Sequence, residues 1–406
     1  MTAKQAIIAG LICLDVTPDL SAVPVEQFEH LLPPESLDCT GGFKCTPGGT
    51  VANTGLALHR LGVPVRLIGK IGNDQIGQVL QDRLRAEAPC LEDDLVIDLS
   101  LPTGLTIAIQ PPESERVLRY HPGANNTLYA SDLPRGTLEN ADLFHFGHPA
   151  LMRSIYRGEG AELVSILQRA RRAGLSTSLE YGLPDPASPA SQLDWLSILA
   201  NTLPLVDLFV PSAEELLFLL DRDAYNQIYA DTNQPEIDAI EPDRLEAFAE
   251  TVLDYGVKVL LVKLGQRGVY LRTAHAKRWE KCGRGLEGLD VSWHNRQIWT
   301  PAYSTAVNTG SGAGDAAIAG FLASIMRGTP PEKALHIAAA VGAHCVENLH
   351  EISAMQGWDE IYARVQSGWN KLPLALDALG WVQDQAQGVW MKTPPPPERS
   401  GLKSDA

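Results

Sequence analysis

The sequence predicts a three-layer α/β/α fold in which helices cover both faces of a mostly parallel central sheet, with a small β lid attached. Three observations predict it. Near-continuous apolar runs recur along the chain, helical apolar spacings separate them, and a few short alternating segments break that rhythm.

The apolar runs 6–14, 65–69, 142–147, 175–179, 206–210, 257–262 and 269–271 are bounded by turn residues and read as strands. Between 162 and 173, Leu163, Ile166, Leu167 and Ala170 repeat at helical spacing, and Gly174 supplies a stop. A second helix starts at Asp315 with Ile318, Phe321, Leu322 and Ile325 on one face, and ends before Gly328 and Pro330–Pro331. Strand and helix in alternation place ligands at the carboxyl ends of the strands. The stretches 37–46, 103–109 and 116–120 alternate and carry Gly and Pro turns, so they predict the lid, in segments of about 35–47 and 100–125. One domain is expected over 1–385. From 386 to 406, and above all past Pro394–Pro397, the composition cannot bury enough surface to offset ordering entropy, and a disordered tail is expected.

Bulk composition narrows the function. A formal net charge of −16 would repel a phosphate backbone, and no basic patch offsets it, which argues against a nucleic-acid partner. The six cysteines are scattered without the short spacings of zinc or redox motifs, as expected of free thiols in a reducing cytoplasm. The run 6–14 is too short for a membrane span and lacks a cleavage site, so it reads as a buried strand, and no membrane partner is expected.

The most informative segment is Gly310-Ser311-Gly312-Ala313-Gly314-Asp315. It opens the second helix, so its backbone N–H groups form an anion hole, and glycines let a phosphate approach. An ionised Asp315 beside them could take a proton from an attacking hydroxyl. Phosphoryl transfer needs both parts in one place. A glycine loop whose Asp315 merely caps the helix fits the same residues. No dinucleotide fingerprint and no Walker loop is present: Asp315 stands where the fingerprint's third glycine would be, and Ile71 follows Lys70.

Gly312–Asp315 resembles the Gly-Ala-Gly-Asp motif of the ribokinase-like (PfkB) carbohydrate kinases. The N-terminal segment Gly48-Gly49-Thr50-Val51-Ala52-Asn53, followed by Leu61-Gly62 and Ile68 to Asp74, resembles that family's second motif, and the likeness covers roughly 5–365. The resemblance implies a ribokinase-like fold with Asp315 as base and Gly312, Ala313 and Gly314 as anion hole. It further implies that Asp15, Gly48, Gly49 and Asn53 hold sugar hydroxyls, and that Lys263, Gly265, Gly268 and Ser212 meet the nucleotide. Taken alone, Asp15 is a strand-ending turn residue, Asn53 a helix polar group, and the 263–268 stretch a hairpin turn. Residues 338–346 resemble the helix beside the adenine, although small residues there also suit plain packing.

The chain departs from the family pattern at three places. Ser212 stands for the Asn of an Asn-x-x-Glu motif whose Glu is Glu215, the implied metal residue; Glu180 stands near a common Asp; and Thr309-Gly310-Ser311 replaces Asp-Thr-x, leaving a monovalent-cation site open. His148 falls at the carboxyl end of a predicted strand, where it is either a substrate contact or structural. The stretch 272–300 is longer than the usual connection and carries Trp279, Trp293 and Trp299, which suit an extra packed hairpin or stacking on a ligand. Residues 120–125 resemble the turn by which the family's lid returns to the main domain, where Gly123 could act as a hinge.

The expectation is therefore an ATP- and Mg²⁺-dependent kinase acting on a hydroxymethyl group of a small sugar-like molecule. The resemblance also allows a nucleoside acceptor and lid pairing into a homodimer, and the departures leave room for a non-catalytic ATP- or sugar-binding sensor.

Overall fold

The computed structural model describes residues 3–20, 41–109, 117–134, 136–232, 240–306, 312–347, 355–376 and 380–392. Segments 37–40, 110–116 and 309–311 and the prolines 394–397, used in the sequence reading, lie outside them. The strands are β1 (Ala6–Gly10), β2 (Cys13–Pro18), β3 (Phe43–Gly48), β4 (Val65–Ile68), β5 (Lys70–Gly72), β6 (Val96–Asp98), β7 (Leu105–Ile109), β8 (Val117–His121), β9 (Leu143–Gly147), β10 (Ser176–Leu179), β11 (Leu208–Phe209), β12 (Val259–Lys263), β13 (Val269–Thr273), β14 (Gln297–Thr300), β15 (Trp381–Asp384) and β16 (Val389–Lys392). The helices are α1 (Gly49–Arg60), α2 (Gln75–Glu87), α3 (Arg153–Arg172), α4 (Trp195–Thr202), α5 (Ala213–Leu220), α6 (Arg222–Thr232), α7 (Pro242–Asp254), α8 (Ala313–Met326), α9 (Pro331–Glu347) and α10 (Trp358–Gln366).

A 10-stranded sheet runs in the order β15-β16-β14-β13-β12-β11-β10-β9-β1-β4. From β4 to β12 every pairing is parallel; β13, β14, β16 and β15 continue it as an antiparallel meander. Both faces are buried. On β1, Ala6 and Ile8 join the core under α1, α8 and α9, whereas Ile7 and Ala9 join the core under α3, α4, α5 and α7. Alternate residues of a strand point to opposite faces, so a strand covered on both sides must be apolar throughout. Helix α8 goes further than its predicted single apolar face: every residue from Asp315 to Met326 is buried, as befits a helix enclosed by α1, α9 and the sheet.

The predicted strand 6–14 is two strands in two sheets. Gly10 has a φ of 127°, and a Cβ there would collide with the Gly147 carbonyl. Both backbone groups of Ile12 are taken by the Asn125 side chain, at 3.0 Å for the N–H and 2.8 Å for the carbonyl. Held off the sheet, the chain turns outward and becomes β2 of the lid, a 4-stranded sheet in the order β3-β2-β7-β8. Asp15 therefore belongs to the lid, beside Thr46 and Thr106 in register.

Two further expectations change. Helix α3 begins at Arg153, but Gly158, Glu159 and Gly160 all have positive φ, so its regular part starts close to the predicted boundary at 162. The tail expected to be disordered from 386 is ordered through Lys392: Met391 and Trp390 of β16 pair with Ile298 and Trp299. Its start was misjudged because Val389, Trp390 and Met391 are an apolar run set just ahead of a polar, proline-rich one. The long stretch 272–300 forms the β13–β14 hairpin with its connection, and Trp279, Trp293 and Trp299 are buried in the core, which selects the packed reading. No described helix is long and apolar enough to cross a membrane.

Val389 is fully buried and β16 covers Trp299, so truncation after Ala386 is expected to cost at least about 2 kcal/mol. Chemical denaturation of the truncated and full chains checks this; equal midpoints would restore the disordered-tail reading.

Candidate active site

Four parallel strands deliver side chains to one edge. His148 follows β9, Glu180 follows β10, Ser212 follows β11, and Lys263 ends β12. Above them stand the N-termini of α1 and α8. Gly49, the first residue of α1, has a φ of 78°, and a Cβ there would strike the Leu11 carbonyl. Gly48 has ordinary backbone angles, but a Cβ on it would collide with the Asp15 carboxylate of the neighbouring strand. The glycine pair thus lets the lid strand and its acid lie directly against the start of α1.

Thr50, Asn53 and Thr54 fall on one face of α1, at i, i+3 and i+4. That face grips two buried carboxylates. Thr50 Oγ1 donates to Glu180 Oε1 at 2.6 Å, Asn53 Nδ2 donates to Asp315 Oδ2 at 2.9 Å, and Thr54 Oγ1 donates to Asp315 Oδ1 at 3.3 Å. Asp315 is 8% exposed, on the first turn of α8 behind the left-handed N-cap Gly312. Ala313 and Gly314 begin the helix, where free N–H groups and the helix dipole favour an anion. Lys263 is their nearest cation: a Cβ placed on Gly314 would lie 3.7 Å from its Nζ.

Lys263 Nζ also lies 3.3 Å from Glu180 Oε2. On the other oxygen, Glu180 faces His148 Nε2 at 3.7 Å and His145 Nε2 at 3.9 Å. His148 has a φ of 58°, a conformation that costs a non-glycine residue free energy and that surrounding structure must hold. Burial opposes a charge on Glu180, yet Lys263, His148 and His145 together outweigh it and hold its carboxyl well below the usual carboxylate range. Asp315 goes the other way: burial and then the Glu180 charge raise its proton affinity, against His148, Asn53 and Lys263. Burial would strip Lys263 of its proton, but Glu215, Glu180 and Asp315 keep it a cation with a raised pKa.

The sequence-selected residues do not all meet. Asn53 contacts Asp315 itself, while Gly312 to Asp315, Lys263 and His148 surround the same space. Asp15 approaches from the lid, accepting from Cys13 Sγ at 3.2 Å. Ser212 and Glu215 form a reciprocal cap on α5, with Glu215 N–H donating to Ser212 Oγ at 3.0 Å and Ser212 N–H donating to Glu215 Oε2 at 3.2 Å. Gly265 and Gly268 take positive φ in the turn between β12 and β13, where a side chain on Gly268 would strike the Thr300 carbonyl. Along 338–346, Ala338, Ala340 and Val341 are fully buried and Gly342 lies against Ala313, so α9 packs beneath the 312–314 turn. Sequence reading passed over Thr50, Thr54 and His145 and noted Glu180 only as a departure. For the two threonines a signal was available, polar residues at i, i+3 and i+4 behind Gly-Gly.

Gly48→Ala is expected to leave the melting temperature nearly unchanged, because the Asp15 carboxylate it displaces is the movable end of a side chain. Steady-state kinetics with the acceptor substrate should show kcat/KM down by about tenfold or more, a loss of ~1.4 kcal/mol. Unaltered kinetics would remove Asp15 from the site.

A model of the pfkB family of carbohydrate kinases matches residues 16–356. Among curated proteins, the chain is 27% identical over 328 residues to probable fructokinase-7 of Arabidopsis thaliana, covering 79% of this chain and 83% of that one. Among solved structures, it superposes on Arabidopsis thaliana ribokinase complexed with ribose and ATP at a TM-score of 0.66 and 19% identity, covering 90% and 99% of the two chains. An E. coli protein assigned as ribokinase II, in complex with ATP and Mg²⁺, gives 0.63 and 20% over 90% and 99%. At such identities the superpositions speak for the ribokinase-like fold, while the match along most of the sequence speaks for descent: the chain belongs to the pfkB family of carbohydrate kinases.

Proposed function

We propose that this carbohydrate kinase transfers the γ-phosphate of ATP to a hydroxymethyl group of a sugar or sugar-like acceptor, with Asp315 as the base. The observation that carries the reading is the Asn53–Asp315 hydrogen bond of 2.9 Å, which sets the carboxylate between the glycine loop of α1 and the phosphate turn of α8. The acceptor lies against Gly48, Gly49 and Asp15, whose carboxylate and backbone groups match the donors and acceptors of a polyol. ATP reaches the site from the side of Lys263, Gly265 and Gly268. The relatives' fructose and ribose names and their bound ATP support a sugar acceptor and ATP as the donor.

The mechanism follows from the charges. Asp315 accepts the hydroxyl proton as the acceptor oxygen bonds to the γ-phosphorus and the bond to ADP breaks. Its raised proton affinity suits a base better than an ordinary surface carboxylate would. The N–H groups of the 312–314 turn and the Lys263 ammonium hold the charge that builds on the transferred group. Glu180, Glu215 and Asp315 all bear on the one Lys263 ammonium, which leaves negative charge in excess and suits the approach of a hard dication. Glu215 would hold Mg²⁺ there, and the ion would neutralise phosphate charge.

Asp315→Asn is expected to retain fold and ATP binding while turnover falls by roughly 10³-fold. Coupled ADP release across sugars, sugar acids, polyols and nucleosides identifies the acceptor and measures this loss. An undiminished turnover number in the variant would overturn the assignment, and preference for a nucleoside would redirect the acceptor class.

A further inference from the structure

Glu180 is the most completely buried acid of the site, at 1% exposed, and direct contact with the acceptor or the phosphates is not needed to explain it. Its two oxygens look in different directions. Oε1 accepts from Thr50 Oγ1 at 2.6 Å, one residue beyond the glycine pair; Oε2 meets Lys263 Nζ at 3.3 Å, and that ammonium lies beside Gly314. We propose that Glu180 is a positioning residue for the transfer step: it anchors Lys263 beside the phosphate turn and, through Thr50, fixes that ammonium relative to the glycine loop on the acceptor side. The inference rests on Asp315 being the base.

A lysine has four rotatable side-chain bonds, and its charge is useful to a migrating phosphoryl group only if its position is set beforehand. Glu180 sets it, at the cost of burying a second carboxylate near the base, and that cost is offset by Lys263, by the Thr50 hydroxyl and by the two histidines. A role confined to packing would not depend on that ammonium, whereas a positioning role acts only while Lys263 is present.

The test is a double-mutant cycle in steady-state kcat over Glu180→Gln, Lys263→Met and the two together, with the melting temperature of each variant followed alongside. Glu180→Gln alone is expected to lower kcat at least about tenfold while KM for ATP and acceptor changes little, because the group it positions acts on the transfer step. In the Lys263→Met background the same replacement is expected to change kcat by less than about twofold, since no ammonium remains to be placed. That second comparison stands even where Glu180→Gln alone lowers the melting temperature. A tenfold or greater further loss on adding Glu180→Gln to Lys263→Met, or an unchanged kcat in Glu180→Gln alone, would overturn the proposal. Retained turnover in Asp315→Asn would instead overturn the base assignment beneath it, so the two failures are told apart.

Discussion

The hydrogen bond from Asn53 to Asp315 joins the first turns of two helices through residues 262 apart in the chain, and the architecture is arranged around it. For the bond to form, the first turns of α1 and α8 must stand side by side over the carboxyl edge of the sheet. Both helices present N–H groups there, and both would suffer from a nearby cation more than from an anion. Two acids in the gap, Glu180 and Asp315, meet that requirement. They create another, since buried carboxylates repel each other, and Lys263 answers it with a single positive charge placed between the sheet and α8. The site is thus a balance of charges enforced by helix geometry, and its side chains are poorly replaceable one at a time.

The lid depends on a different constraint that begins in the same place. Gly10 lets β1 run close against Gly147, and Asn125 then occupies both hydrogen-bonding groups of Ile12, so the chain cannot continue in the central sheet. It leaves as β2 and carries Asp15 over Gly48. The lid's return past Gly123 is fixed by the same Asn125, whose side chain also donates to the Pro122 carbonyl at 2.9 Å. Outgoing and returning strands of the lid are therefore tied at one amide. A motion of the lid about this root would carry Asp15 with it while leaving Asp315, Asn53 and Lys263 in place on rigid elements, which under the proposed function would admit an acceptor without disturbing the base.

Much of this was legible in the sequence, and the reasons for the rest are specific. Parallel strands covered on both faces announce themselves as apolar runs, and the helix opening at Gly312–Asp315 carries its own glycines. The break at Gly10–Ile12 was illegible because Ala6 to Leu14 is apolar without interruption: a strand that leaves one sheet for another is as buried as one that stays, and only the distant Asn125 decides. The order of β16 was hidden by its neighbours, since three apolar residues beside a run of prolines carry little weight until Ile298 and Trp299 are known to await pairing.

Glu180 illustrates the remaining limit. An acid after a buried strand is equally consistent with a solvent-facing turn, and nothing within ten residues reveals that Thr50 and Lys263 will converge on it. Its partners lie 130 and 83 residues away. The carboxylate spans from a hydroxyl on α1 to an ammonium at the end of β12, and the length of a glutamate side chain gives it that reach here. A family resemblance can mark the position as a departure, but only the fold brings together the two partners between which its charge is held.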